Sequence, residues 1–283
     1  AKQKNMAGIS NAMHHMKREG IEKNSYTCRE ILQGIIRVGD LSGAQEYLDE
    51  LDENVIENNF LHNTLIKAYI HAKDFDSALE MLENMKSHSK APPDEITFFV
   101  ILSGFAKANE WSQVDDLLIE MQQEGMYPDV GTFENLIQFS AKKGDFLRAR
   151  KFLDAMGVHN IAPSTKIFSS LISEAVNKNE PSVAYSFLRD MVKTVDHVPL
   201  PLYSGICGSF CNNKMYSKAE KLAEDYFQRN PKSPELVQLY NIILNSVAKF
   251  NIEESQKIFQ KILEQCVPDK YTFGIMLALY ARK

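Results

Sequence analysis

The side chains most able to do chemistry in this 283-residue chain are few and scattered. Cys207 and Cys211 stand one helical turn apart, a spacing that can offer two thiolates to a metal. Both also fall where an apolar periodicity demands burial, so core packing is the expected role. Cys28 shares such a position, and Cys266 stands alone beside a loop. Asp115-Asp116 carries the carboxylates a nuclease would need for a divalent ion, but the pair belongs to an outward helix and reads as a solvated face. His14-His15 has no convergent carboxylate or thiolate nearby. Asp94, Asp129 and Asp269 each directly precede a helix, where Asp is a favoured N-cap whatever else it does. The chain contains no Gly-rich phosphate loop, no H-E-x-x-H and no Gly-x-Ser-x-Gly. No catalytic residue, metal site, cofactor or small-molecule substrate is expected.

The elements that carry these residues must therefore explain the protein. Hydrophobic residues make up 44% of the chain and charged ones 24%, enough to bury a core. A net charge of −5 argues against coating nucleic acid by charge alone, though a local basic stripe is compatible with it. Four cysteines in a chain of this length make no disulfide framework and suit a reducing compartment. No apolar run approaches the eighteen or so residues that cross a bilayer.

A repeat organises everything else. Ala44, Ala78, Val114, Ala149, Ala184, Ala219 and Ser255 recur at intervals of 34, 36, 35, 35, 35 and 36. A second column, Met16, Leu51, Met85, Met121, Met156, Met191, Tyr226 and Ile262, keeps the same step. Between these marks each unit reads as two helices. In 130–164, Phe133, Leu136, Ile137, Ser140 and Ala141 fall at i, i+3, i+4, i+7 and i+8, one buried helical face. Gly144-Asp145 breaks the pattern and Asp145 opens a second helix; Pro163 closes the unit. The face recurs as Phe98, Ile101, Leu102, Phe105, Ala106; as Phe168, Leu171, Ile172, Ala175, Val176; as Tyr203, Ile206, Cys207, Phe210, Cys211; and as Tyr240, Ile243, Leu244, Val247, Ala248. No period-2 segment competes. The predicted fold is all-α: a right-handed α-solenoid of helix-turn-helix hairpins, because one hairpin cannot bury its face alone. The expected units are 25–58, 59–94, 95–129, 130–164, 165–199, 200–236 and 237–269. Residues 1–24 supply the second helix of an earlier unit and 270–283 the first helix of a later one, so the chain reads as a fragment that lacks its original N-terminus and any targeting signal. The least regular stretch runs from Tyr226 to Leu236, with Pro231 and Pro234.

Three segments carry a family resemblance: Pro93-Asp94-Glu95-Ile96-Thr97-Phe98, Pro128-Asp129-Val130-Gly131-Thr132-Phe133 and Pro268-Asp269-Lys270-Tyr271-Thr272-Phe273. With the 35-residue step and Glu120-Met121-Gln122-Gln123-Glu124-Gly125-Met126-Tyr127-Pro128-Asp129, the chain resembles the pentatricopeptide repeat family over essentially its whole length. That resemblance implies an organellar protein, mitochondrial or alternatively plastid, that binds single-stranded RNA one base per unit. In the family, the residue after the opening aromatic and the last residue of the unit read a base edge. An apolar side chain two places before the aromatic stacks on the base, and a cation near the end of the first helix meets phosphate.

Carried over, the resemblance makes Asn63 with Asp94, and Asn241 with Asp269, base-reading pairs of the kind used for uracil. Phe60 and Ile96 would sandwich the first base, with His62 in place of the usual aromatic; Tyr271 would stack on the second, opposite Gln238. Arg37, His71, Lys107, Lys142, Lys249 and Arg282 form the phosphate column, interrupted by Asn177 and Asn212. Other units depart from the pattern: Phe99 with Asp129, Glu134 with Ser164, Ser169 with Pro199, Arg29 with Asn58 and Ser204 with Leu236 are not standard pairs, and Gly131, Lys166 and Pro201 are poor platforms. Acidic residues instead favour the second helices, as in Glu46, Asp49, Glu50, Asp115, Asp116, Glu120, Glu220, Glu224 and Asp225. Two functions are consistent with this: holding RNA along a concave groove in transcript stability, processing or translation, or serving as a scaffold subunit of an organellar ribonucleoprotein, such as a mitochondrial ribosome, through protein contacts.

Overall fold

The computed structural model describes residues 2–51, 59–88, 91–195, 197–231 and 233–281. Among them it contains sixteen α-helices and no strand. Helix α1 is Lys2–Arg18; α2 (Ser25–Val38) and α3 (Leu41–Asp49) follow, then α4 (Phe60–Ala72), α5 (Phe75–His88), α6 (Glu95–Ala108) and α7 (Trp111–Gln123). The chain continues through α8 (Val130–Lys143), α9 (Phe146–Val158), α10 (Thr165–Asn177), α11 (Pro181–Thr194) and α12 (Leu200–Asn212). It ends with α13 (Tyr216–Arg229), α14 (Leu236–Val247), α15 (Ile252–Gln265) and α16 (Lys270–Ala281).

The chain forms two compact units, Ala1–Leu136 and Ile137–Lys283, divided within α8. In the first, α2, α4 and α6 pack in series, and each also packs on its own successor, α3, α5 and α7. In the second, α10, α12, α14 and α16 form the series, with α11, α13 and α15 as partners. Each of α2, α4, α10, α12 and α14 thus buries one face against its hairpin mate and another against the next first helix of its unit, the repeated stacking of a helical solenoid.

Side-chain size sets how closely the helices approach. Ala44, Ala78, Val114, Ala149, Ala184, Ala219 and Ser255 are all 0% exposed. The Ser255 hydroxyl spends its proton on the Asn251 carbonyl at 2.6 Å, so a polar atom is tolerated there. The companion column from Leu51 to Ile262 is buried throughout. Cys207 and Cys211 lie in the core, where the Cys207 thiol donates to the Leu239 carbonyl at 3.7 Å.

Asp and Thr together start the helices. Asp94 accepts from the Thr97 amide at 2.8 Å, Asp129 from Thr132 at 2.7 Å and Asp269 from Thr272 at 2.8 Å. The same Asp oxygen accepts each threonine hydroxyl, at 2.9, 2.7 and 3.0 Å, and the three threonines are buried. Helix α2 starts on a variant of this cap: the Asn24 side chain accepts from the Thr27 amide at 2.9 Å, while the Thr27 hydroxyl donates to the Asn24 backbone carbonyl at 2.9 Å. Gly39 and Gly144 end α2 and α8 with φ of 90° and 86°, a left-handed conformation that glycine adopts without steric penalty.

The second helices of the C-terminal unit are tied across their seams at one pair of positions, the residue after the small column and the residue before its companion. Arg150 of α9 meets Asp190 of α11, Tyr185 of α11 donates to Asp225 of α13, and Glu220 of α13 meets Lys261 of α15.

Candidate nucleic-acid interface

The candidate site is built from the opening turns and the closing turns of the first helices. Phe60 is the first residue of α4, and Ile96 and Tyr271 are the second residues of α6 and α16. All three project outward although they are apolar, with 46%, 63% and 69% of their surface exposed. Tyr26, second in α2 and 63% exposed, occupies the same register, so the first compact unit presents Tyr26, Phe60 and Ile96 on three successive first helices. Sequence reasoning passed over Tyr26 because Cys28 stands where the opening aromatic belongs; counting back two places from the buried column would have found it. Gly131, Lys166, Pro201 and Gln238 hold the equivalent places elsewhere.

Between Tyr26 and Phe60 lies Arg29, at the base-reading position of its unit. Its guanidinium carbon is 4.7 Å from the Tyr26 ring centroid and 5.6 Å from that of Phe60. Glu30 holds the same guanidinium at 3.1 Å. The place where two platforms could receive a planar base is therefore taken by a planar cation of this chain.

The two Asn–Asp pairs differ. In the second compact unit, the Asn241 amide donates to Asp269 at 3.1 Å, and its oxygen, 2.8 Å from the Thr272 hydroxyl, shares that single proton with Asp269. These donors, the Thr272 amide first among them, hold the Asp269 carboxyl below the ordinary value. In the first unit the expected coupling of Asn63 to Asp94 is not made. Asp94 is served by Thr97 and by the Asn59 side chain, and Asn59 also donates to the Pro92 carbonyl at 2.7 Å. Val237 stands at the position of Asn59 in the later unit and offers no competing donor, which leaves Asp269 to Asn241. The Asn63 Oδ1 faces inward without a hydrogen-bond partner. Half a turn of that amide would point its N–H groups inward and bring the acceptor to the surface. His62, in the aromatic's place, is buried, and burial lowers its pKa against the opposing pull of Asp49.

Arg37, His71, Lys107 and Lys142 lie in the last turns of α2, α4, α6 and α8, and all are exposed. Lys249 is exposed as well but sits just past the end of α14, which stops at Val247. Arg37 reaches Gln33 at 3.4 Å, and Lys142 approaches the Phe139 ring at 6.0 Å. None of these five is in an ion pair among the described residues, so their side chains are open to solvent. Arg282 and Asn58 lie outside the described residues. Among those described, no group of three or more His, Cys, Asp or Glu residues could hold a metal ion, and no helix is long and apolar enough to cross a membrane.

A series of two-helix units with Pro-Asp junctions defines a class of helical-repeat protein, and comparison with known proteins identifies it. The PPR repeat family matches residues 57–107, the pentatricopeptide repeat domain matches 12–62 and 116–178, and the PPR repeat matches 97–126. The chain belongs to the pentatricopeptide repeat family. A chloroplastic pentatricopeptide repeat-containing protein of Arabidopsis thaliana is 30% identical over 114 residues, 40% of this chain and 22% of that protein. A second chloroplastic Arabidopsis relative is 22% identical over 85% of this chain and 31% of its own length. The chain thus spans less than a third of either. The Arabidopsis small ribosomal subunit protein mL103 is 20% identical, over 73% of this chain and 50% of that protein. Among solved structures, the maize pentatricopeptide repeat protein PPR10 superposes with a TM-score of 0.61 at 19% identity, covering 98% of this chain and 44% of PPR10. PPR10 in complex with an 18-nt psaJ RNA element gives 0.55 at 17% identity, over 96% of this chain and 40% of that one.

Proposed function

We propose that the chain is part of an organellar RNA-binding protein that holds single-stranded RNA against the first-helix side of its hairpins. The observation that carries this reading is the register of Tyr26, Phe60 and Ile96. Exposed apolar side chains occupy one position on three successive first helices, and exposed basic side chains close the same helices at Arg37, His71 and Lys107. Stacking platforms alternating with phosphate-seeking cations suit a strand whose bases are unpaired. The complex of PPR10 with RNA and the chloroplastic names of two relatives accord with this role and with an organelle. The unit of Asn63 and Asp94 is proposed as the best single-base site, between Phe60 and Ile96. The pair Asn241 and Asp269, beside Tyr271, is proposed as a second site whose amide is already oriented.

The similarity to a small ribosomal subunit protein favours one second reading, a scaffold subunit of an organellar ribonucleoprotein. Titrations of the chain with short oligouridine and oligoadenosine at two salt concentrations separate the two. Asn63→Ala is expected to reduce the preference for oligouridine. Lys107→Ala is expected to weaken both strands alike and to lower the slope of log K against log salt by about 0.7, as for one lost phosphate contact on a single strand. Absence of binding to either strand at low salt would leave the scaffold as the better account.

A further inference from the structure

The seams between second helices of the C-terminal unit share one device, and one seam departs from it. At α9–α11 and α13–α15 the cross-link joins opposite charges, Arg150 with Asp190 and Glu220 with Lys261. At α11–α13 a tyrosine takes the place of one charge, and Tyr185 donates its hydroxyl to Asp225. Burial and this hydrogen bond push the Tyr185 pKa up to about 12, so the link is neutral tyrosine to carboxylate. Beyond it, towards their C-terminal ends, α11 and α13 frame a cleft of about 520 Å³, a volume typical of ligand pockets.

Arg189 forms one wall of this cleft and Arg229 the other. Neither is in an ion pair among the described residues, whereas Lys193 beside them is held by Asp190 at 3.2 Å. Arg229 stands in the last turn of α13, where a cation also complements the helix dipole, but Arg189 lies too far from the end of α11 for that effect. Two cations across a cleft repel each other, and an anion between them removes the repulsion and gains charge-assisted hydrogen bonds from both. The rest of the lining is mixed: Leu188, Val192 and the Tyr203 ring are apolar, and Tyr185, Lys193, Asp225 and Gln228 are polar.

We propose that this cleft docks a partner protein by receiving a Glu or Asp side chain between Arg189 and Arg229, with apolar neighbours of that residue laid over Leu188 and Val192. Asp225 lines the cleft as well. A single carboxylate flanked by apolar residues tolerates that neighbour, whereas a strand with a phosphate at every nucleotide is repelled by it. The site lies mainly on the second helices, with Tyr203 of α12 at one wall, shares no residue with the RNA reading, and stands or falls separately from it.

The test uses the whole chain and fluorescence anisotropy with four labelled probes: a short peptide alternating leucine and glutamate, its glutamine and lysine counterparts, and a single-stranded RNA. The glutamate peptide is expected to bind roughly tenfold or more tighter than the glutamine one, and to lose that margin in Arg189→Ala/Arg229→Ala. The charge-reversed variant Arg189→Glu/Arg229→Glu is expected to prefer a leucine–lysine peptide, which shows that the fold has survived. Equal binding of the glutamate and glutamine peptides overturns the proposal, since the cleft is then merely apolar. Failure of the glutamate peptide to bind overturns it too. Loss of RNA affinity in the double variant without any peptide binding would assign the two arginines to phosphate instead.

Discussion

Replacing Thr97 by valine tests how the Pro-Asp junction starts a helix. The side chain is fully buried and valine matches its shape, so packing is preserved and one hydroxyl is removed. That hydroxyl donates to the Asp94 carboxylate at 2.9 Å and accepts the Asp94 amide at 3.3 Å. A hydrogen bond to a charged group contributes about 1.5–3 kcal/mol. Asp94 is only half-buried and retains the Thr97 amide donor, so water recovers part of the loss and about 1–2 kcal/mol is expected for the variant. Units in such a stack can open separately, which makes hydrogen exchange of the α6 amides a better measure than a global melt. Protection from Glu95 to Ala108 should fall about five- to thirtyfold at neutral pH, with the most distant helices unaffected. The pH dependence supplies a second check. Burial pushes the Asp94 carboxyl upward, but the Thr97 and Asn59 donors outweigh it, so its folded pKa lies below 3.8. A depressed carboxylate stabilises the fold above its unfolded pKa and loses that contribution as pH falls through the folded value. The gap between the native chain and Thr97→Val should therefore narrow in that acid range, compared at equal pH. Unchanged protection at neutral pH, or a gap that persists undiminished in acid, would refute the role given to the Asp–Thr pair.

Two further outcomes follow from the packing and the interface. Ala149→Leu should overpack a closed seam and lower stability by about 1–3 kcal/mol, read by urea denaturation; no loss would mean that the small column does not set the approach of the helices. In Arg29→Ala the space between Tyr26 and Phe60 is vacated, so binding of single-stranded RNA at high salt should hold steady or tighten by up to roughly tenfold. Weaker binding at every salt concentration would instead make Arg29 an ordinary phosphate contact.

The helical repeat was legible because burial imposes a periodicity that residue types alone reveal. The columns of Ala44 and Leu51, and the face from Phe98 to Ala106, are buried as their spacing implies. Cys207 and Cys211 could be placed in the core for the same reason. The capping role of Asp94, Asp129 and Asp269 was legible too, but the buried threonine that completes each cap was not, since a threonine at that distance has many uses. The base-reading positions could be placed by register, yet register says nothing of hydrogen bonding. Asn63 and Asn241 sit alike in their repeats and differ because Asn59 competes in one and Val237 cannot in the other. The seam pairs were hidden for another reason: their partners are 40 and 41 residues apart, and which second-helix faces meet depends on helix rotation, which the repeat length does not encode.

The seam pairs also bear on how such an array can be rearranged in evolution. The α10–α11 hairpin offers Asp190 backwards and Tyr185 forwards, whereas the α12–α13 hairpin offers Asp225 backwards and Glu220 forwards. A tandem copy of the first would set Tyr185 against Asp190, a junction like the one already present between Tyr185 and Asp225. A tandem copy of the second would set Glu220 against Asp225 and bring two carboxylates together. Loss of the α10–α11 hairpin would leave Arg150 facing Asp225 and still matched, while loss of the α12–α13 hairpin would leave Tyr185 facing Lys261. Hairpins with the same outline therefore differ in whether they can be duplicated or deleted, and the junction residues give the array a grammar of permitted neighbours.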